Sequence, residues 1–178
     1  ILDNLKRRFA AKVVYTAIGD IITSVNPFEA TGNTGQAVSR RYVTEQQKLP
    51  LHTPSKLPPH VFTLVGKAFV RMREHSRSQS ILISGESGSG KTEAMKLAIE
   101  QLGQVAASGG GQSTMGPRVM ATNPIMEPIG NAKTVRNNNS SRFGKHIDLQ
   151  CNVALQLVGA VTTVYLLEKP RICKHEPG

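Results

Sequence analysis

Apolar residues recur at helical spacing in three stretches of the chain, within residues 1–9, 61–72 and 92–102. A stripe of this kind, with polar residues on the other face, is typical of a helix that packs on one side. The stripes consist of Ile1, Leu2, Leu5 and Phe9; of Val61, Val65, Ala68, Phe69 and Met72; and of Met95, Ala98, Ile99 and Leu102. We therefore expect three amphipathic helices.

Four further stretches have patterns typical of strands. The first two are short apolar runs, which indicate buried strands, whereas the third alternates apolar and polar side chains. The fourth is an apolar run after a turn near Gly159, so we expect the last two stretches to form an antiparallel hairpin across residues 145–167. The stretches are 18–25, 80–84, 146–155 and 161–167.

Two connections between these elements have compositions typical of irregular structure. Residues 29–59 are polar and contain several glycines and prolines, so we expect a long irregular connection. Residues 106–117 are rich in glycine and serine and can bury little apolar surface. They predict a flexible surface loop.

Composition places the chain among globular proteins. Its 178 residues are one domain's length, and 39% apolar with 19% charged residues is ordinary usage. No apolar run approaches the roughly 18 to 20 residues that a membrane-spanning helix needs, and the start has no signal-peptide pattern. Cys151 and Cys173 follow no metal-ligand spacing. We expect a soluble cytoplasmic protein with reduced thiols and no insertion into a membrane.

The net charge of +10 first suggests nucleic acid as a binding partner. The basic residues are dispersed, however, and the densest cluster is only Lys6, Arg7 and Arg8. There is no polybasic tail, and no aromatic residues are interleaved with basic ones as in a stacking platform. Solvated helix faces account for most of the charge, so we expect no nucleic-acid partner. An NTPase acting on nucleic acid is an alternative that the charge alone suggests.

The glycine-rich run after the predicted strand at 80–84 carries the main candidate chemistry. It fits the pattern G-x-x-x-x-G-K-[ST] and opens the predicted helix at 92–102. Glycines let successive N–H groups turn toward an anion, and the helix adds its positive end. The lysine can reach the phosphates of a nucleotide, and the threonine can ligate Mg²⁺. The residues are Gly85, Glu86, Ser87, Gly88, Ser89, Gly90, Lys91 and Thr92.

A second candidate is the polar run at residues 137–145. Its three asparagines and two serines are poor material for a helix or a strand. We therefore expect a loop whose amides and hydroxyls face a phosphate or a metal. A polar loop at a sheet edge is the open alternative.

Two segments together resemble a known family. GESGSGKTE at residues 85–93 and AKTVRNNNSSRFGK at 132–145 are similar to the P-loop and switch I of the myosin motor head. Shorter matches in the family's order cover almost the whole chain, among them NPF at 26–28, NPIME at 123–127 and YLLEK at 165–169. The resemblance implies that the chain is an amino-proximal fragment of a motor head.

The resemblance also implies roles at the phosphates. Lys91 and the backbone of residues 85–92 would hold the phosphates of ATP, and Asn137 would lie against them. Thr92 and Ser141 would bind Mg²⁺. These roles suit phosphoryl transfer, in which positioning and charge neutralisation dominate.

Further roles come from the same resemblance. Ser140 would sit beside the attacking water, and Arg142 would pair with a glutamate of a second switch segment. Asn26 and Pro27 would begin the loop that holds the purine. Residues 106–117 would correspond to a variable surface loop near the nucleotide.

The sequence departs from the family pattern at a few positions. Thr34 stands where the purine loop usually has tyrosine, Asn138 where aspartate is common, and Pro170 where serine is usual. No aspartate is followed by glycine three residues later, so a D-x-x-G switch segment is absent from this sequence. We therefore expect Arg142 to lack the glutamate of that switch segment as a partner here, and the isolated chain to be inactive.

These points predict an α/β fold with a P-loop NTPase-type mixed central sheet flanked by helices, incomplete because it is part of a myosin head. The expected function is the ATP-binding part of an ATP-driven, actin-based motor with P-loop ATPase chemistry and the cofactors ATP and Mg²⁺. Expected partners are actin filaments, ATP and ADP, with light chains on a lever arm outside this chain and a location at the cytoskeleton. A stand-alone nucleotide-binding module or inactive pseudo-motor is the alternative.

Overall fold

A computed structural model describes residues 1–48, 53, 55–107 and 115–173. No helix in these ranges is long and apolar enough to cross a membrane. The helices are α1 (Leu2–Ala10), α2 (Gln36–Lys48), α3 (Val61–His75), α4 (Lys91–Ala107), α5 (Met115–Met120), α6 (Asn123–Gly130) and α7 (Lys169–Cys173). The strands are β1 (Tyr15–Ile18), β2 (Ile21–Ser24), β3 (Asn131–Thr134), β4 (Asn137–Ser141), β5 (Gly144–Cys151) and β6 (Leu157–Tyr165).

Helices α2, α3 and α4 pack against one another and form the core. The apolar stripe of α3 faces inward, and Phe62 and Val65 are 0% and 2% exposed. A buried polar contact joins the other two helices, since the hydroxyl of Ser39 in α2 donates to Oε1 of Gln101 in α4 at 2.6 Å. The helices expected at residues 1–9, 61–72 and 92–102 are confirmed as α1, α3 and α4.

A buried histidine starts α3. Nδ1 of His60 accepts a hydrogen bond from the backbone N–H of Phe62 at 3.1 Å and so caps the helix. The imidazole is 2% exposed and lies among aromatic rings, with centroid distances of 4.3 Å to Tyr15 and 4.1 Å to Phe62. Burial lowers the pKa of His60 to about 4, although the backbone of Asn33 opposes the shift. The residue is therefore neutral at physiological pH.

The strands form three separate antiparallel hairpins, β1–β2, β3–β4 and β5–β6. The expected P-loop NTPase-type mixed central sheet is not confirmed, because the described residues contain no larger sheet. Residues 80–84 are not a strand, and the side chain of Leu82 is 91% exposed. An apolar run becomes a strand only when another segment pairs with its backbone, and no described strand is paired with this one. The α/β character itself is confirmed.

Two expectations about the first third of the chain are wrong. Residues 18–25 were expected as one buried strand, but β1 and β2 fold back on each other at Gly19-Asp20, where Gly19 has a φ of +63°. Residues 29–59 were expected to be irregular, but they contain α2. This helix is polar in composition and is stabilised by packing on α3 and α4 rather than by a marked apolar stripe.

The hairpin expected at residues 145–167 corresponds to β5 and β6, with Gly144 paired to Tyr165 at its open end. The alternating pattern continues to residue 155, but β5 ends at Cys151 and Val153 is fully exposed. The turn precedes Gly159, which lies inside β6, so the expected position of the turn is wrong.

The loop expected at residues 106–117 is helical at both of its ends. Residues 106–107 close α4, and residues 115–117 open α5. The middle of the expected loop, residues 108–114, lies outside the described residues. The expectation is therefore wrong for its two ends.

Candidate functional site

The glycine-rich segment forms a tight turn that leads directly into α4. Gly88 and Gly90 have φ values of +79° and +91°, which side chains other than glycine rarely adopt. The N–H of Ser89 donates to the carbonyl of Glu86 at 3.2 Å, and the first intrahelical bond runs from Ala94 to Gly90 at 2.9 Å. The N–H groups of the first turn of α4 precede that bond and have no partner within the helix. The turn therefore presents backbone donors and a helix N-terminus to an anion.

Lys91 extends back over this turn. Its ammonium group donates to the carbonyl oxygens of Gly85 at 2.7 Å and Glu86 at 2.8 Å. A lysine ammonium has three donors, so one is left for a ligand at the turn. The positive charge of Lys91 therefore lies beside the first two residues of the segment that is predicted to bind phosphate.

Asn26 contacts the glycine-rich turn from the N-terminal part of the chain. Its side-chain amide donates to the carbonyl of Gly88 at 2.8 Å, and its Oδ1 accepts from the N–H of Phe28 at 2.9 Å. The neighbouring Pro27 lines a separate cavity of about 230 Å³ beside Val14 and other residues that follow α1. The structure therefore brings Asn26, but not Pro27, to the turn.

The polar run expected as a loop at residues 137–145 is irregular only at residues 142–143, because residues 137–141 form β4 and residues 144–145 begin β5. The expectation is therefore wrong for most of the run. Strand β4 pairs with β3, and the register shifts between Ala132 and Thr134, which places Asn138 and Asn139 opposite the single residue Lys133. A hairpin satisfies the backbone of polar residues through the partner strand, whatever their individual preference for strands. Local composition therefore did not decide the structure of this segment.

Strand β4 contacts the glycine-rich turn through the hydroxyl of Ser140. Oγ of Ser140 lies 2.8 Å from Oγ of Ser87, and Oγ1 of Thr134 lies 3.3 Å from the same atom. Ser140 is 3% exposed. An ion pair between Arg136 and Glu86 joins the two segments at the surface. Residues 47 to 53 positions apart in the sequence are thus brought together.

Asn137 also reaches the turn, whereas Ser141 does not face it. A Cβ placed on Gly88 would lie 3.8 Å from Cβ of Asn137, so the two residues are adjacent. Ser141 follows Ser140 in the strand, points to the opposite face and is exposed. Thr92 is half-buried in the first turn of α4. The structure therefore does not bring the two predicted Mg²⁺ ligands, Thr92 and Ser141, together.

Arg142 has an acidic partner that the sequence did not reveal. Its Nε and Nη2 atoms lie 2.7 Å and 2.5 Å from Oε2 of Glu168. Hydrogen bonds from Arg142 and then from Arg171 hold the pKa of Glu168 below its ordinary value. Arg142 is therefore paired with a carboxylate that belongs to no D-x-x-G switch segment, and this partner was not expected.

The sequence matches a known family over its full length. The family model described as myosin head (motor domain) matches residues 1–178. The chain belongs to the myosin head family. The resemblance of its two phosphate-site motifs to that family is thereby confirmed.

Individual myosins match the chain at similar levels of identity. "Myosin-1" of Neurospora crassa is 42% identical over 173 residues, which cover 97% of this chain and 13% of that protein. "Myosin-1" of Sclerotinia sclerotiorum is 45% identical over 175 residues, covering 97% of this chain and 14% of that protein. "Unconventional myosin-Ia" of Homo sapiens is 40% identical over 178 residues, covering 100% of this chain and 16% of that protein. The chain thus spans about one-seventh of these myosins.

The donor set of this myosin-head chain suits a magnesium nucleotide rather than a metal held by protein alone. No group of three or more His, Cys, Asp or Glu residues in the described ranges could hold a metal ion. Mg²⁺ bound with a nucleotide needs few protein ligands, because phosphate oxygens and waters complete its octahedron. The Thr92 hydroxyl, at the start of α4, could serve as one such ligand. The residues present therefore fit Mg²⁺ only together with phosphate.

Proposed function

We propose that this chain is the ATP-binding part of an ATP-driven, actin-based motor. The observation that carries the proposal is the contact between Ser87 and Ser140, which closes β4 against a turn that has the geometry of a phosphate-binding loop. Membership of the myosin head family over residues 1–178 supports the same function. Because the match covers the whole chain, a stand-alone module or pseudo-motor is not favoured.

The chain's own residues supply positioning and positive charge. The backbone N–H groups of residues 85–92 hold the phosphates, and the third donor of Lys91 is directed to the β- and γ-phosphates. Asn137 and Ser140 cover the phosphates from β4, where the Ser140 hydroxyl lies beside the position of an attacking water. In phosphoryl transfer, such positioning and charge neutralisation supply most of the catalysis.

We further propose that Thr92 binds Mg²⁺ together with the phosphate oxygens of ATP. When bound, Mg²⁺ neutralises charge that develops on the phosphates during transfer. Ser141 is the second ligand that the family resemblance implies, and it acts in this role only if its hydroxyl turns toward the loop. Asn26 fixes the carbonyl of Gly88 and thereby the shape of the loop.

The phosphate site is tested by replacing Gly88 with alanine. A side chain at a φ of +79° costs about 1 to 2 kcal/mol, so ATP affinity is expected to fall about fivefold to thirtyfold. The measurement is a calorimetric titration of the chain with ATP and Mg²⁺. Gly103→Ala is the matched control, because a Cβ at Gly103 in α4 meets nothing within 4 Å. Equal affinity of the Gly88→Ala variant and the wild type would show that the turn does not hold the phosphates.

The actin part of the proposal concerns the complete protein. We expect the full-length protein to sediment with actin filaments and to be released when ATP is added, because nucleotide binding biases the conformation of a motor. Co-sedimentation with and without ATP measures this. Sedimentation that is independent of ATP would contradict motor function while leaving the nucleotide site intact. The same assay supports or excludes the proposed location at the actin cytoskeleton.

A further inference from the structure

The pair formed by Arg142 and Glu168 is one end of a continuous chain of side-chain hydrogen bonds. Nη1 of Arg142 donates to Oγ of Ser140 at 3.1 Å, and Ser140 in turn contacts Ser87 at 2.8 Å. Ser140 is almost fully buried, and its contact with Ser87 joins the β3–β4 hairpin to the glycine-rich turn. It thus connects a carboxylate beyond β6 to the proposed phosphate site.

Glu168 holds the backbone of Arg142 as well as its guanidinium group. The N–H of Glu168 donates to the carbonyl oxygen of Arg142 at 2.9 Å, while the N–H of Arg142 donates to the carbonyl of Gly130 at 2.8 Å. The guanidinium is a rigid planar group, so fixing its backbone and its Nε fixes the direction of its remaining N–H bonds. One of these bonds is directed at Ser140.

We propose that Glu168 is a positioning residue for the phosphate site, which acts through Arg142 and Ser140 on Ser87. The inference rests on the proposed function. Arginine can only donate hydrogen bonds, so Oγ of Ser140 accepts from Arg142 and donates its own hydrogen bond to Oγ of Ser87. Ser87 in turn donates to Oγ1 of Thr134, because the Thr134 hydroxyl itself donates to the carbonyl of Asn137 at 3.1 Å. Glu168 therefore orients hydroxyls at the site without touching the nucleotide.

The two oxygens of Glu168 serve different arginines, which provides a matched control. Oε2 contacts Arg142, whereas Oε1 accepts from Nε of Arg171 at 3.0 Å. Both ion pairs are partly exposed, and the side chain of Glu168, which they share, is 36% exposed. Replacing Arg171 removes one partner of Glu168 but leaves the path to Ser140 in place.

Hydrogen exchange of the nucleotide-free chain tests the inference independently of ATP. We expect Glu168→Ala to speed amide exchange in peptides that contain residues 139–142 and residues 86–89. Arg171→Ala is expected to speed exchange only near residues 169–173. Unchanged exchange at residues 86–89 in Glu168→Ala would overturn the inference, because no effect would then reach the turn.

A double-mutant cycle separates positioning from a general loosening of the fold. Glu168→Ala is expected to weaken ATP affinity about threefold to tenfold, since it removes a charged hydrogen bond that is partly exposed. Glu168→Gln, which keeps an acceptor oxygen, is expected to lie between the wild type and Glu168→Ala. In a Ser140→Ala background the effect of Glu168→Ala should largely disappear, because residues of one network are not additive.

Each outcome of these experiments has a defined meaning. Additive effects in the cycle would overturn the inference, because they would show that Glu168 acts by a route other than Ser140. Failure of the wild-type chain to bind ATP would instead contradict the proposed function. The exchange experiment alone would then decide whether Glu168 orders the turn.

Discussion

Replacing Lys91 with alanine is expected to weaken ATP binding about tenfold to a hundredfold. The ammonium group is held by two loop carbonyls, which leaves one donor for the phosphates of the proposed site. A hydrogen bond to a charged group contributes about 1.5 to 3 kcal/mol, which corresponds to this loss. Titration of both proteins with ATP and Mg²⁺ measures it.

Lys96→Ala is the control for this experiment. Lys96 lies on the same helix and pairs at 2.7 Å with Glu93, an ion pair of the helix surface. Its removal takes away the same charge without removing a ligand, so it corrects for the general effect of net charge on binding an anion. If Lys91→Ala binds ATP as tightly as Lys96→Ala does, the assignment of the phosphate site is wrong.

Lowering the pH is expected to destabilise the fold through His60. The folded state resists protonation because the imidazole is buried and its Nδ1 already accepts the Phe62 N–H. Unfolded histidine has a pKa of about 6.5, whereas that of folded His60 is about 4, so between these values the unfolded state binds more protons. The contribution is fully present above about pH 6.5 and is lost as the pH falls to about 4. The loss amounts to about 3 kcal/mol.

Urea unfolding of the wild type and of His60→Asn between pH 7 and pH 4 measures this effect. Asparagine can also cap a helix, so the variant removes the titrating group while keeping a capping side chain. His146→Gln, at an exposed position of β5, controls for the loss of any histidine. A pH dependence of the same slope in His60→Asn would contradict the role of His60. An NMR titration that follows the His60 ring gives a second measurement, which does not depend on the variant.

Periodicity predicted α1, α3 and α4 and missed α2 together with the short helices α5, α6 and α7. Helix α2 also buries residues at helical spacing, Ser39, Tyr42 and Val43, but they stand within a polar sequence that shows no apolar stripe. Such a helix depends on the surfaces that α3 and α4 offer it. The same reasoning explains the error at residues 80–84, because strand formation depends on a partner that no local pattern reveals.

The sequence predicted the glycine-rich turn because all its parts are contiguous. Glu168 was missed because it is 26 residues from Arg142 in the chain. The β5–β6 hairpin brings them together, since the pairing of Gly144 with Tyr165 returns the chain to the point where the hairpin began. Only the register of that hairpin determines which later residue meets Arg142.

Strand β4 contains two adjacent serines, Ser140 and Ser141. A hydroxyl would therefore still face the glycine-rich turn if the pairing of β4 with β3 shifted by one residue. Side chains alternate between the faces of a strand, so a shift of one residue against β3 would turn Ser141 toward the glycine-rich turn and Ser140 away from it. The bulge opposite Lys133 is the kind of irregularity at which such a shift is absorbed. Because both residues are serines, the turn meets a hydroxyl in either arrangement. Two adjacent serines thus keep the same chemical group on the side of β4 that faces the turn, whichever of the two a shift of one residue would place there.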